Sequence, residues 1–250
     1  MPQFDFRQPR LFVDAALAAG ETVAIERSQS NYLGNVLRLS EGDTILVFNG
    51  RDGEWQASIG GRKRPDSLRI VTQTRPQDRL PDLSYVFAPL KHARLDYMVQ
   101  KAVEMGVSHL HPVMMRHTQA ERVNLDRMRA NAIEAAEQCG ILAIPHIAAP
   151  LDFPAALKAL GDACHLVFCD EDAPGGDPVA ALRADLGATP DNAELAVVIG
   201  PEGGFADDER AMLLRRPRTS RIALGPRILR ADTAAVAALA VVQAAAGDWR

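Results

Sequence analysis

The feature that most constrains this 250-residue chain is Leu195-Ala196-Val197-Val198-Ile199, an unbroken apolar run that passes directly into Gly200-Pro201-Glu202-Gly203-Gly204. A half-exposed strand alternates apolar and polar residues. A continuous apolar run suits a strand covered on both faces, as in a parallel sheet flanked by helices. His165–Cys169 repeats the pattern, and Ser84–Ala88, His109–Val113 and Arg221–Leu224 read as further strands. Helical spacing fills the intervals. In Ala93–Met105, residues Leu95, Met98, Val99, Ala102 and Val103 share a face, and Gly106 stands where the helix should end. Leu125–Gln138 carries the stripe Met128, Ala132, Ala135 and Ala136, and Asp152 is placed to cap a short helix running to Leu160. Asp207–Leu214 and Thr233–Ala246 complete the set. Alternating strands and helices predict an α/β domain with a mainly parallel sheet.

The first 75 residues have a different rhythm. Leu11-Phe12-Val13 is a short apolar run, and Thr44–Phe48 ends at Asn49-Gly50, followed by Asp52-Gly53 and the alternation Trp55, Ala57, Ile59. Asn-Gly and Asp-Gly between two such runs signal a hairpin. Leu68, Ile70 and Thr72 add another period-2 stretch, and several short strands in so few residues predict a small β-barrel. Residues 76–83, with Pro76 and Pro81 among charges, read as a linker. The expected organisation is therefore a barrel over 1–75, a linker over 76–83 and an α/β domain over 84–250.

Composition narrows the function classes. The chain is 47% hydrophobic and 24% charged, ordinary for a water-soluble globular protein. No apolar run reaches the ~18 residues that span a bilayer, and Met1–Arg10 carries charges and prolines instead of an apolar signal core, so a cytoplasmic protein is expected. The three cysteines, Cys139, Cys164 and Cys169, form no C-x-x-C pair, against a disulfide framework or a zinc site. His109 and His111 share a strand face with no ligand cluster beside them, so no metal is expected. The net charge of −4 hides an asymmetry: residues 131–192 hold ten acidic and two basic side chains, and the remainder is neutral to mildly basic. An RNA-binding face is permitted by that balance. The Rossmann fingerprint, the phosphate-binding P-loop and the nucleophile elbow are all absent from the sequence.

Two segments carry chemistry. Gly200–Phe205 follows a buried strand and precedes an acidic helix start, and ligands of α/β sheets bind beyond the carboxyl ends of strands. Glycine there lets a ligand approach the backbone, and Glu202 sets a carboxylate at the rim; a tight turn without ligand would use some of the same residues. Leu224-Gly225-Pro226-Arg227-Ile228-Leu229-Arg230-Ala231-Asp232-Thr233-Ala234 repeats the logic with two arginines suited to a carboxylate or phosphate, and with Thr233 as helix cap or ligand contact.

Together these segments resemble the cofactor loops of the SPOUT methyltransferases, the α/β-knot superfamily. Within it the chain resembles the RsmE family of 16S rRNA (uracil-N3)-methyltransferases. The match includes Arg10-Leu11-Phe12, Tyr32–Leu39, Gly42-Asp43, Phe48-Asn49-Gly50, Gln100–Val107, Glu134–Gln138, Gly200–Phe205 and Leu224–Ala234. The resemblance implies a PUA-like RNA-binding barrel followed by a trefoil-knotted α/β domain that binds S-adenosylmethionine, in a homodimer acting on the small ribosomal subunit. It places the cofactor among three loops: Cys169 and Glu171; Ile199, Gly200, Pro201, Gly203 and Gly204; and Leu224, Gly225, Ile228, Leu229, Thr233 and Ala234. Glu202 and Arg230 are the expected catalytic pair, the carboxylate accepting a proton or orienting the base and the guanidinium favouring the uracil anion. Arg7, Arg10, Tyr32, Arg38 and Arg51 are the expected RNA contacts. The family's usual Ser-Gly-Arg reads Cys139-Gly140-Ile141 here, its Arg-Thr-Glu-Thr-Ala reads Arg230–Ala234 with Asp232 as the acid, and Asp207 is expected to replace a missing serine cap. Two other readings compete: a related enzyme acting on another RNA or base, and a non-catalytic RNA-binding or assembly factor.

Overall fold

A computed structural model describes residues 8–91, 93–187 and 194–249. They form two compact units. One runs to Arg79 and includes Ile133–Ile144, and the other comprises Leu80–Ala132 and Pro145 onward.

The first unit is a five-stranded sheet: β1 (Arg10–Phe12), β2 (Thr22–Ala24), β3 (Thr44–Phe48), β4 (Glu54–Gly60) and β5 (Ser67–Arg75), in the order β1-β3-β4-β5-β2. The hairpin between β3 and β4 forms where its turn residues require. Gly50 and Gly53 both adopt a φ of 82°, and the buried Asn49 accepts the Arg51 and Asp52 N–H groups at 3.0 and 2.9 Å. That left-handed backbone costs glycine nothing. The alternation then turns Ala57, Ile59, Leu68 and Ile70 onto a core shared with Ile45, Val47, Leu11, Val13 and Val23. Among the described residues no hydrogen-bonded ladder joins β1 to β2, the two ends of the sheet. The helix α1 (Arg27–Asn31) continues into a π-helical turn, Tyr32–Val36, which buries Leu33 completely.

The second unit is a seven-stranded, all-parallel sheet. Its strands are β6 (Leu83–Phe87), β7 (His109–Met114), β8 (His146–Ile147), β9 (Leu151–Asp152), β10 (His165–Cys169), β11 (Leu195–Ile199) and β12 (Thr219–Ile222). The order is β12-β10-β11-β6-β7-β8, with β9 pairing β7. β11 is buried at every position and β10 at all but Cys169, as their apolar runs require, and β6 is buried throughout although it carries Ser84. The helices are α2 (Ala93–Glu104), α3 (Leu125–Cys139, whose residues from Ile133 on count with the first unit), α4 (Phe153–Ala159), α5 (Pro178–Leu186), α6 (Asp207–Arg215) and α7 (Ala231–Ala246). The expected stripes face inward: Met98, Val99, Ala102 and Val103 of α2 are buried. Asp152 caps α4 by accepting the Ala155 N–H at 2.8 Å.

Several boundaries differ from the sequence expectation. β12 lies two residues earlier than Arg221–Leu224, because its register is set by β10, where Cys169 faces Ile222. α7 begins at Ala231 with Arg230 at the cap position, so Thr233 is inside the helix and does not cap it. Ala206 occupies the cap of α6 and Asp207 its first turn. The substitute cap comes from Glu209, whose carboxylate accepts the Ala206 N–H at 3.0 Å. α5 is an addition to the expected elements, although its signals are present: Asp177 caps it and Pro178 takes the first helical position.

Candidate active site

β12, β10 and β11 are adjacent and parallel, so the segments after Cys169, Ile199 and Ile222 leave the same edge of the sheet side by side. Chain order also reverses here. β6 has β7, its successor, on one side and the much later β11 on the other. Crevices beyond the carboxyl ends of strands at such reversals are where open α/β sheets take ligands.

The first loop is anchored by Asp170. Its carboxylate is buried and bonded by Arg210 at 2.9 Å and by Arg221. Burial works against the charge, yet the hydrogen bonds from Arg210 and Arg221 prevail and hold the carboxyl below its ordinary range. Burial pushes the neighbouring Cys169 thiol up to about 12, so it is an inert apolar group. Glu171 is exposed, and its carboxylate lies 3.9 Å from where a Cβ on Gly204 would sit.

The second loop is folded tightly against the protein itself. A Cβ at Gly200 would lie 2.7 Å from the Phe205 ring, which packs edge-on against Phe168 at 5.1 Å. A Cβ at Gly203 would meet His117 at 3.1 Å. Gly204 has a φ of 74°, donates to the Pro201 carbonyl at 2.9 Å and accepts from His117 Nδ1 at 3.0 Å. Arg116 completes the support: its N–H donates to Glu209 at 2.8 Å and its guanidinium to Asp208 at 2.7 Å.

The third loop is open. Gly225 has a φ of 95° with no atom within 4 Å of a Cβ, and Ile228 is 92% exposed. The N–H groups of Gly225, Arg227, Ile228 and Leu229 have no partner among the described residues. The Arg230 side chain is exposed and likewise unpaired among them. It stands at the N-terminus of α7, where the helix dipole adds positive potential.

Arg94, at the start of α2, ties two of these segments together. It makes a bidentate pair with Asp232, both bonds 3.0 Å, and also bonds Glu202. Asp232 is held below the ordinary carboxylate range chiefly by this bond, and the Arg94 guanidinium is pushed up by the same contact. Sequence reasoning finds Glu202 and misses Arg94 and the Asp170–Arg210–Arg221 cluster. An arginine in an ordinary helical stripe, and acids in a loop, give no local signal of the partner that folding supplies.

The structure thus brings Glu171, Pro201, Glu202, Gly203, Gly204, Leu224, Gly225, Ile228, Leu229, Arg230, Thr233 and Ala234 to one edge, with Ile199 and Gly200 at the strand end beneath them. Arg230 and Glu202 differ in state: Arg230 has no partner among the described residues, and Glu202 is engaged by Arg94. In the first unit, Arg7 lies outside the described residues. Arg10 is buried and paired with Glu54 at 3.0 Å, which also binds Arg75 at 3.2 Å. It is a core ion pair and not an exposed RNA contact. Tyr32 and Arg38 are exposed, and Arg51 is exposed and paired with Asp14 at 3.5 Å.

Comparison with known proteins agrees with this architecture. Residues 77–243 match the RNA methyltransferase domain and residues 25–68 the RNA methyltransferase PUA domain. The chain is 29% identical over 236 residues to ribosomal RNA small subunit methyltransferase E of Rickettsia conorii, covering 94% of each protein. A Legionella pneumophila methyltransferase solved with bound SAM is 26% identical with a TM-score of 0.81, covering 96% of this chain and 98% of that one. A ribosomal RNA small subunit methyltransferase E from Neisseria gonorrhoeae, bound to S-adenosyl methionine, shares the fold with a TM-score of 0.84 at 24% identity, over 98% of this chain and 100% of that one. With a PUA domain preceding a parallel-sheet domain whose loops meet at one edge, the chain belongs to the RNA methyltransferase family.

Proposed function

We propose that this protein is an S-adenosylmethionine-dependent methyltransferase of small-subunit ribosomal RNA, acting on N3 of a uridine in 16S rRNA. The observation that carries the reading is the meeting of three loops beyond β10, β11 and β12, one of them with open backbone donors and a free arginine. The residues fit the cofactor. Unpartnered N–H groups of Gly225, Ile228 and Leu229 suit the acceptors of an adenine or ribose, and Glu171 suits the hydroxyls of a ribose or the ammonium of the methionine part. Bound there, S-adenosylmethionine supplies a methyl group already activated by its sulfonium.

The protein's own tasks are then positioning and charge. Uracil N3 attacks only after its proton has passed to solvent water, which leaves negative charge shared with O2 and O4. Arg230, unpaired and at a helix N-terminus, is placed to stabilise that charge. Glu202 is held by Arg94, so its part is to orient the base by accepting the N3–H hydrogen bond before that proton leaves. The threading of the last segments as a trefoil knot, the homodimer and a cytoplasmic location belong to the same reading. The exposed Ile228 supports a covering partner or substrate, and no helix among the described residues is long and apolar enough to cross a membrane.

The test is methyl transfer from labelled S-adenosylmethionine to small subunits lacking the modification and, separately, to naked 16S rRNA, with nucleosides identified by mass spectrometry. The expected product is 3-methyluridine at one position. Another methylated nucleoside would transfer the assignment to a different base. Cofactor binding without transfer to either substrate would point to another RNA, and no cofactor binding would leave an RNA-binding factor.

A further inference from the structure

Arg94 uses all three of its guanidinium nitrogens. Nε and Nη2 donate to Asp232 Oδ2 and Oδ1, each at 3.0 Å, and Nη1 donates to Glu202. The planar fork fixes these directions together, which the single ammonium of a lysine could not do. The two acceptors come from different segments, Glu202 from the loop after β11 and Asp232 from the first turn of α7. Asp232 is fully engaged, since its Oδ1 also accepts the Thr233 N–H at 2.9 Å. Both acids keep part of their surface in water, 35% of the Glu202 side chain and 18% of the Asp232 side chain. Ion pairs so placed add little to stability. What the cluster settles is which cation the two acids face.

A second cation stands at the same edge. Arg230 occupies the cap position of α7, just before the turn that holds Asp232. Its side chain is exposed and has no partner among the described residues. Guanidinium groups pair readily with nearby carboxylates, often through two parallel bonds. Such a pair would cancel the positive charge that Arg230 brings to the uracil anion. Arg94 already holds Asp232 and Glu202, and it does so from α2, outside the three loops.

We propose that Arg94 is a positioning residue that acts by competition: it holds Asp232 and Glu202 away from Arg230, so that Arg230 stays unpaired until the uracil anion forms. The inference rests on the reading of the protein as a uracil-N3 methyltransferase. It gives Arg94 a share in turnover that is exerted through Arg230.

Two readouts on the full-length protein test this. The first is modification of the protein alone by phenylglyoxal, which attacks unpaired arginines, followed by peptide mass spectrometry. Arg227, exposed and without a partner among the described residues, is the internal reference. In the parent, Arg230 should react about as fast as Arg227, and in R94Q about threefold more slowly, the protection given by a surface ion pair. In R94Q/E202Q/D232N the rate should recover, because no released carboxylate is left to pair with Arg230. The second readout is single-turnover methyl transfer at saturating S-adenosylmethionine. R94Q is expected to lose about thirtyfold, roughly tenfold from an unheld Glu202 and about threefold from a paired Arg230. The triple variant should lose only about the tenfold of Glu202→Gln alone, so that removing two further charges raises the rate. R94K, which keeps the charge and loses the fork, should fall between the parent and R94Q in both readouts. It carries the same test if R94Q melts early. A purely structural role for Arg94 would make the triple variant worse than R94Q. That result, or an Arg230 that labels equally fast in the parent, R94Q and R94K, would overturn the inference. Labelling that shifts as expected in a parent protein that transfers no methyl group would overturn the functional reading and leave the hold of Arg94 on the two acids standing.

Discussion

The loops Gly200–Phe205 and Leu224–Arg230 look alike as sequence. Each follows a strand, contains Gly-Pro and leads into a helix. Folded, they are opposites. In the first, Phe205 covers Gly200, His117 covers Gly203, and Gly204 closes a turn on Pro201. In the second, no hydrogen bond joins Gly225 through Leu229 to the described protein, and Ile228 stands in solvent. Glycine therefore means three things within one site: room for a ring at Gly200, room for an imidazole at Gly203, and positive φ at Gly204 and Gly225. Richness in glycine marks a special backbone in both loops, yet much of it in the first answers to the protein's own side chains. The functional weight shifts to the open loop and to the arginine that ends it.

The sharpest way to break this contrast is to compare the two acid–base candidates. Arg230→Ala should lower kcat by about 10²–10³-fold, the magnitude for removing one preorganised group that meets developing charge, with an unchanged melting temperature. Glu202→Gln keeps the shape and an acceptor oxygen, so a loss of roughly tenfold is expected. Single-turnover rates at saturating cofactor, with thermal melts of each variant, check both. A larger loss for Glu202→Gln than for Arg230→Ala would reverse the roles and make the tightly packed loop the catalytic one.

A second comparison sets Gly200→Ala against Gly225→Ala. The first inserts a methyl against an aromatic ring and should cost about 1–3 kcal/mol by overpacking. Phe205→Leu, introduced with it, should recover part of that stability, a coupling that a double-mutant cycle in denaturant melts reads directly. Gly225→Ala meets no neighbour, and its cost, about 1–2 kcal/mol, is that of a left-handed backbone alone. No second-site change in the surrounding side chains should relieve it.

These contrasts also show where the sequence is legible. Apolar runs locate β10 and β11 to the residue, because a strand buried on both faces tolerates little else. Asn49-Gly50 and Asp52-Gly53 locate the first hairpin for an equally local reason. β12 is displaced from its expected place because its bounds come from pairing with β10, a long-range fact. Arg10 reads as a surface cation for the same reason: only the fold brings Glu54, 44 residues away, to within 3.0 Å of it. Arg94 is invisible in the sequence because its partners are 108 and 138 residues distant. The three loops are readable as a set through glycine, proline and their place after strands. The network of Arg94, Asp232, Asp170, Arg210 and Arg221 that holds their ends is not.

The smallest expected effect separates the carboxyl edge of the sheet from the strand interior by pH. His111, within β7, is pushed down to about 4, mainly by burial and then by His109 and His146, with Ser84 Oγ 3.4 Å from its Nε2. An unfolded histidine titrates near 6.5. Between those values the unfolded chain binds a proton that the folded chain refuses, so stability falls as pH drops from about 6.5 toward 4. His165, lowered by burial in β10, acts in the same direction. Asp170 behaves differently: its folded carboxyl is held below the unfolded value, so its contribution is whole above about 4 and disappears only at lower pH. Urea melts at pH 7, 5 and 3 should therefore show two successive losses. His111→Gln should flatten the first by roughly 1–2 kcal/mol, screened because the ring still touches water, while Asp170→Asn should leave that limb intact and shrink the one below pH 4, which Asp232 also feeds. If His111→Gln and His165→Gln both left the upper limb unchanged, the acid sensitivity would lie in the loops after all, and the rigid interior would not be the first part of this sheet to yield.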